Sequence, residues 1–90
     1  MSDVKATIAQ RQNVHGDWES NARVSTSIMR ALSLGDKFNA LDDVSMASLT
    51  QIANKMCRIV SGDAAFGDHW HDIAGYATLA ETYHLKAANK

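Results

Sequence analysis

Leu49-Thr50-Gln51-Ile52-Ala53-Asn54-Lys55-Met56-Cys57-Arg58-Ile59-Val60 is the stretch whose pattern decides the fold. Apolar residues at Leu49, Ile52, Ala53, Met56 and Val60 recur every three or four positions. That is the period of one buried helix face, and it lacks the alternation of a half-buried strand. Asp43 or Ser45 offers a side-chain oxygen to cap the start of this helix, and Gly62 stops it. Working toward the N-terminus, residues 36–43 read as a loop. Before it lies a second helix capped by Asp17, with Trp18, Ala22, Ser25, Ile28, Met29 and Leu32 at helical spacing and Gly35 beyond its end. His15-Gly16 separates this helix from a short, weakly amphipathic first one over residues 3–13, capped by Ser2 or Asp3 and carrying Val4, Ile8 and Ala9 on one side. Toward the C-terminus, residues 63–67 form a loop. A last helix over residues 68–87 follows, with Trp70, Ile73, Ala74, Ala77, Ala80 and His84 on its main apolar face.

These segments predict a small all-α helical bundle, three long helices plus a short N-terminal one, forming a single domain over residues 1–90. The chain has no proline, which fits a molecule that is mostly helix. Its 46% hydrophobic content suits a globular fold and is too high for a disordered one. Ninety residues bury only a thin core, so the bundle is expected to be completed by homo-oligomerisation, as a dimer or higher. Nine basic against ten acidic residues disfavour bulk nucleic-acid binding, which needs a positive excess. A single cysteine, Cys57, points to a reducing compartment. No stretch approaches the roughly 18 apolar residues of a membrane span, and the N-terminal residues lack the pattern of a secretory signal. A cytoplasmic location and no membrane association are expected.

The last helix carries a second face. Asp68, His69, Asp72 and Tyr76 fall together on the side away from Trp70, with Leu79 and Tyr83 beside them. Asp68 and Asp72 are neighbours one turn apart, and like charges there repel by a few tenths of a kcal/mol unless something compensates them. Three readings stand open. Asp68 is an N-cap and Asp72 a first-turn acid; or Asp68, Asp72 and His69 hold a divalent cation such as Mg²⁺; or the carboxylates pair with Lys55 and Arg58 on the preceding helix. Lys55 and Arg58, in line with Gln51 and beside Asn54, are equally suited to a phosphate. His15, without a capping role of its own, is the third candidate for a phosphate or ligand site. His69 and His71 point apart and cannot share an ion. Cys57, beside the apolar stripe, reads as an inert buried thiol. Phosphate loops, Cys-x-x-Cys, His-Glu-x-x-His and serine elbows are absent.

Arg11…His15-Gly16-Asp17-Trp18, then Lys55-x-x-Arg58-Ile59-x-x-Gly62, then Asp68-His69-Trp70-x-Asp72-Ile73-Ala74-Gly75-Tyr76-Ala77, resembles a small domain encoded by tailed phages and prophages, a family without an assigned function. The resemblance runs over residues 10–84, its last motif being the specific one. It implies a phage or prophage source and action in the cytoplasm of a bacterial host. More distantly, Asp72-Ile73-Ala74-Gly75-Tyr76-Ala77 is similar to the second metal-binding helix of the all-α nucleoside triphosphate pyrophosphohydrolases, the MazG-like and dimeric dUTPase-like enzymes. Those hold Mg²⁺ with two carboxylates on each of two helices. Here His69 stands at the preceding Glu position, and the third segment offers Gln51/Asn54 and Lys55/Arg58 where the first acidic pair belongs. The resemblance implies nucleotide or phosphate binding with Mg²⁺, as an active or a degenerate Mg²⁺-dependent pyrophosphohydrolase. The competing expectation is a non-enzymatic phage accessory protein that binds and inhibits a host or defence macromolecule, and a third is a purely structural homo-oligomer.

Overall fold

The computed structural model describes residues 2–89, and every regular element among them is helical. Four α-helices run in order: α1 (Ser2–His15), α2 (Trp18–Leu32), α3 (Asp43–Ser61) and α4 (Gly67–Ala88), with one 3₁₀ turn (Phe38–Ala40) between α2 and α3. The expected small all-α bundle is what forms. The first helix is longer than its weak amphipathicity implied, reaching His15, nearly the length of α2.

Helix α3 is the spine. It packs most extensively on α4, then on α2, and least on α1. Being contacted from several sides, α3 buries its centre line at Ser48, Ala53 and Cys57, and Met56 and Val60 turn to solvent. The expected stripe was therefore right at Ala53 and wrong at its C-terminal end. Asp17 caps α2 as expected, accepting from the Ser20 N–H at 2.8 Å. The α3 cap is Asp42, one residue before the expected Asp43, and it holds both the Ser45 N–H at 2.7 Å and the Ser45 hydroxyl at 3.0 Å. At that end Ser45 also meets His84 Nε2 at 2.7 Å, which fastens the tail of α4 against the head of α3. Asp68 does not cap α4, whose N-cap is Phe66 with no side-chain cap bond. Asp63 instead stabilises the preceding turn by accepting from the Ala65 N–H at 2.9 Å.

Helix α4 is rotated from the orientation that its apolar pattern implied. His69 is its most buried residue, 1% exposed, followed inward by Asp72, Ile73, Tyr76 and Ala80, whereas Trp70, Ala74 and Ala77 face outward. Neighbouring residues on a helix point about 100° apart, so burying His69 displaces Trp70 from the core. Trp70 finds its polar partner at the surface instead, its indole N–H donating to the Ala64 carbonyl at 2.8 Å.

The ends of all four helices meet at one junction. The α1–α2 connection at residues 14–16 lies on the α3–α4 connection at residues 61–63. The Val14 carbonyl accepts from the Asp63 N–H at 2.8 Å. Gly16 adopts a left-handed φ of +82°, the conformation that glycine takes without penalty. Gly62 approaches so closely that a Cβ there would sit 2.2 Å from the Val14 carbonyl oxygen.

Candidate functional site

Beside the junction, α1, α2 and α3 border an open cavity of about 740 Å³, within the range of small-molecule sites. Helix α1 contributes Ile8, Arg11, Gln12 and His15, α2 contributes Trp18, Asn21 and Ser25, and α3 contributes Gln51, Asn54, Cys57 and Arg58. The helical period explains the set: Arg11 and His15 are one turn apart, and Gln51, Asn54 and Arg58 lie three and four apart, so each helix presents one edge. The lining holds two guanidiniums and no carboxylate. Trp18 at its rim is 76% exposed, a large flat surface left uncovered by the protein.

Asn21 fixes the wall. Its amide nitrogen donates to the His15 carbonyl at 2.8 Å, closing the end of α1. Cys57 lies behind it, with Sγ 3.7 Å from Asn21 Oδ1 and 3.1 Å from the Asn54 carbonyl. Burial raises the Cys57 pKa, which keeps it a thiol and a weak donor. Cys57 is buried, as expected.

His15 stands at the inner end of the cavity. Its Nδ1 lies 3.3 Å from His69 Nε2, and Phe66 packs edge-on against its ring at a centroid distance of 5.7 Å. Burial, followed by neighbouring His69 and the charges of Arg58, Arg11 and Lys55, lowers the His15 pKa below its ordinary 6.5.

The structure separates the residues that the sequence grouped. His15 and Arg58 do share the cavity. Lys55 does not line it; Nζ forms an ion pair with Asp72 of α4 at 3.0 Å. That hydrogen bond, with the Lys55 charge, lowers the Asp72 pKa below its ordinary 3.8. Of the carboxylate–cation pairings left open by the sequence, this one forms. The expected cation set of Asp68, His69 and Asp72 does not assemble: His69 turns inward to His15 and the Val14 carbonyl, Asp72 is engaged by Lys55, and Asp68 is exposed. Among the described residues no three His, Cys, Asp or Glu side chains converge as a metal site would require. The physical reason is tertiary: the junction draws His69 inward and Lys55 holds Asp72, which leaves Asp68 alone at the surface.

Arg11, Trp18, Gln51 and Asn54 were not singled out as site residues. A signal for them was present in the one-turn spacings Arg11/His15 and Asn54/Arg58. That the two edges border one cavity depends on how α1 packs against α3, which no local pattern encodes. Comparison of the chain with known protein families, with curated proteins and with solved structures finds no match.

Proposed function

We propose that the cavity between α1, α2 and α3 binds a small phosphate-bearing ligand, and that a nucleotide is the class it suits best. One observation carries this reading: Arg11, Arg58 and His15 converge on a carboxylate-free cavity whose rim is an exposed Trp18. Guanidinium groups match phosphate oxygens by paired N–H bonds. An exposed indole offers a stacking face for a base, a contact worth about 1–3 kcal/mol in single-stranded nucleic-acid complexes. The similarity of residues 72–77 to nucleotide pyrophosphohydrolases supports the same ligand class, and the phage-family resemblance supports a bacterial host cell as its setting. Hydrolysis would call for a cation held by convergent carboxylates. The Asp72–Lys55 pair and the inward His69 leave no such set among the described residues, so we read the protein as a binder. Any Mg²⁺ would arrive with the ligand's own phosphates.

Calorimetry with a panel of nucleoside triphosphates, with and without Mg²⁺, tests this directly. Binding is expected to be lost in the double variant Arg11→Ala/Arg58→Ala and kept in Asp72→Ala. Trp18→Phe is expected to remove a ligand-induced change in tryptophan emission that Trp70→Phe preserves. Silence with every nucleotide would sink the reading, and loss in Asp72→Ala alone would return the site to α4.

A second observation favours self-association. Leu79 and Tyr83, one turn apart on α4, are exposed, and the chain presents more surface than its mass requires. We infer a homo-oligomer that covers part of this helix. A host protein seated on the same residues is the competing outcome.

A further inference from the structure

Two imidazoles touch at the junction, and a neighbouring carbonyl favours one placement of their protons. His69 Nε2 faces both His15 Nδ1 at 3.3 Å and the Val14 carbonyl oxygen at 3.4 Å. A carbonyl offers only lone pairs. A lone pair on His69 Nε2 would therefore oppose Val14, whereas a proton there serves both neighbours. His15 Nδ1 must then accept, and a neutral imidazole that accepts at Nδ1 carries its proton on Nε2. His15 Nε2 has no protein partner among the described residues, and His15 lines the cavity.

We propose that His69 is a positioning residue that holds His15 as the neutral Nε2–H tautomer, so that the cavity meets an oxyanion with an imidazole N–H beside the guanidiniums of Arg11 and Arg58. The inference rests on the ligand reading above and adds to it a role for a residue that never touches the ligand. His69 is built to hold still. It is 1% exposed, and its ring is wedged between Phe66 and His15 at centroid distances of 5.0 and 4.9 Å. The surroundings also disfavour a second proton on His15: Arg11 from α1, Lys55 and Arg58 from α3 and His69 from α4 all lower its affinity for one. Trp18, Asn21 and Ser25, which line the cavity from α2, bring no charge. His15 thus donates by direction, and the two arginines supply the charge.

The test has two arms. Long-range ¹H–¹⁵N NMR of the wild type above pH 7 reports the tautomer directly: protonation of His15 at Nε2 is expected, and protonation at Nδ1 overturns the proposal. Calorimetry with inorganic pyrophosphate then compares variants. His69→Phe keeps a ring but no donor and is expected to bind about tenfold more weakly, the usual scale of one hydrogen bond. His69→Gln, whose amide N–H can replace the donor, is expected to recover most of that loss. His15→Phe should show the same deficit as His15→Phe/His69→Phe. Wild-type affinity in His69→Phe overturns the proposal. If pyrophosphate does not bind the wild type, the ligand reading falls while the NMR arm still judges the tautomer. Should His69→Phe fail to fold, the spectrum of the wild type decides alone.

Discussion

Gly62 and Gly75 share a residue type and should respond oppositely to alanine. At Gly62 a Cβ would stand 2.2 Å from the Val14 carbonyl, and backbone cannot yield as a flexible side chain can. Gly62→Ala is expected to cost more than about 2 kcal/mol by forcing the two connections apart. Gly75 sits within α4 with nothing near its missing Cβ, so Gly75→Ala should stabilise by up to about 1 kcal/mol through helix propensity. Urea unfolding of both variants checks the pair, and equal effects would mean that the junction is not packed as described. His15 gives a pH signature at the same scale. Its folded-state pKa lies below the unfolded 6.5, so the unfolded chain binds more protons just below that pH. Stability therefore falls as pH drops through 6.5, and the loss is complete below the folded value. Asp17, Asp42 and Asp72 act in a separate, more acidic window. Their carboxyls are held below 3.8, Asp17 and Asp42 by N–H bonds from Ser20 and Ser45 and Asp72 by the bond from Lys55. Their contribution is present above 3.8 and disappears only as pH falls through those lower values. In urea titrations between pH 7.5 and 5.5, His15→Gln should lose less stability than the wild type. Parallel curves would refute the assignment.

At the scale of elements, the rotation of α4 shows what a periodic pattern can and cannot say. Spacing alone identified all four helices, the Asp17 cap and the breaks near Gly16 and Gly62, because these depend on local propensity and backbone freedom. It misassigned the buried face of α4, because Trp70 is the larger apolar group and His69 a polar one. What reverses that order is tertiary. His69 has ring partners and a carbonyl waiting at the junction, whereas the indole N–H of Trp70 is served by Ala64 in the adjoining loop. The same limit explains the site. His15 and Arg58 could be picked out as single residues, but the cavity also needs Arg11 and Trp18 from helices whose mutual placement no short motif encodes. The rotation is measurable. In Trp18→Phe the remaining Trp70, 55% exposed, should be quenched readily by iodide and emit near the solvent-exposed limit. Protected, blue-shifted emission would mean that α4 is turned toward the orientation of its apolar stripe, or that a partner covers it. Repeating the measurement across protein concentrations separates those two causes, since only the second responds to dilution.

For the whole molecule, surface area carries the argument. A compact monomer of 9.8 kDa is expected to expose about 5,200 Å², whereas this chain exposes 6710 Å². Its radius of gyration, 15.5 Å, exceeds the roughly 12 Å of a compact domain of this length, and the body measures 52 × 26 × 25 Å. Only Ala53 and Cys57 are fully buried hydrophobic residues among those described. The excess of about 1,500 Å² per chain, doubled across a two-fold interface, falls within the roughly 2,000–5,000 Å² of obligate homodimers. It is well above the roughly 800 Å² per partner of a standard interface. The homo-oligomer proposed above would bury a surface of that size, and α4 is the helix on which the proposal places its contact. Leu79 and Tyr83 lie one turn apart there, both exposed. Light scattering after size exclusion should give about twice the chain mass at micromolar concentration, as expected for a two-fold pair. Leu79→Glu/Tyr83→Glu should halve it and lower the unfolding midpoint in a concentration-dependent way. On a free monomer, two exposed positions would tolerate the same change within about 0.5 kcal/mol each, so a monomeric wild type with an indifferent double variant would show that this chain carries its surplus surface alone.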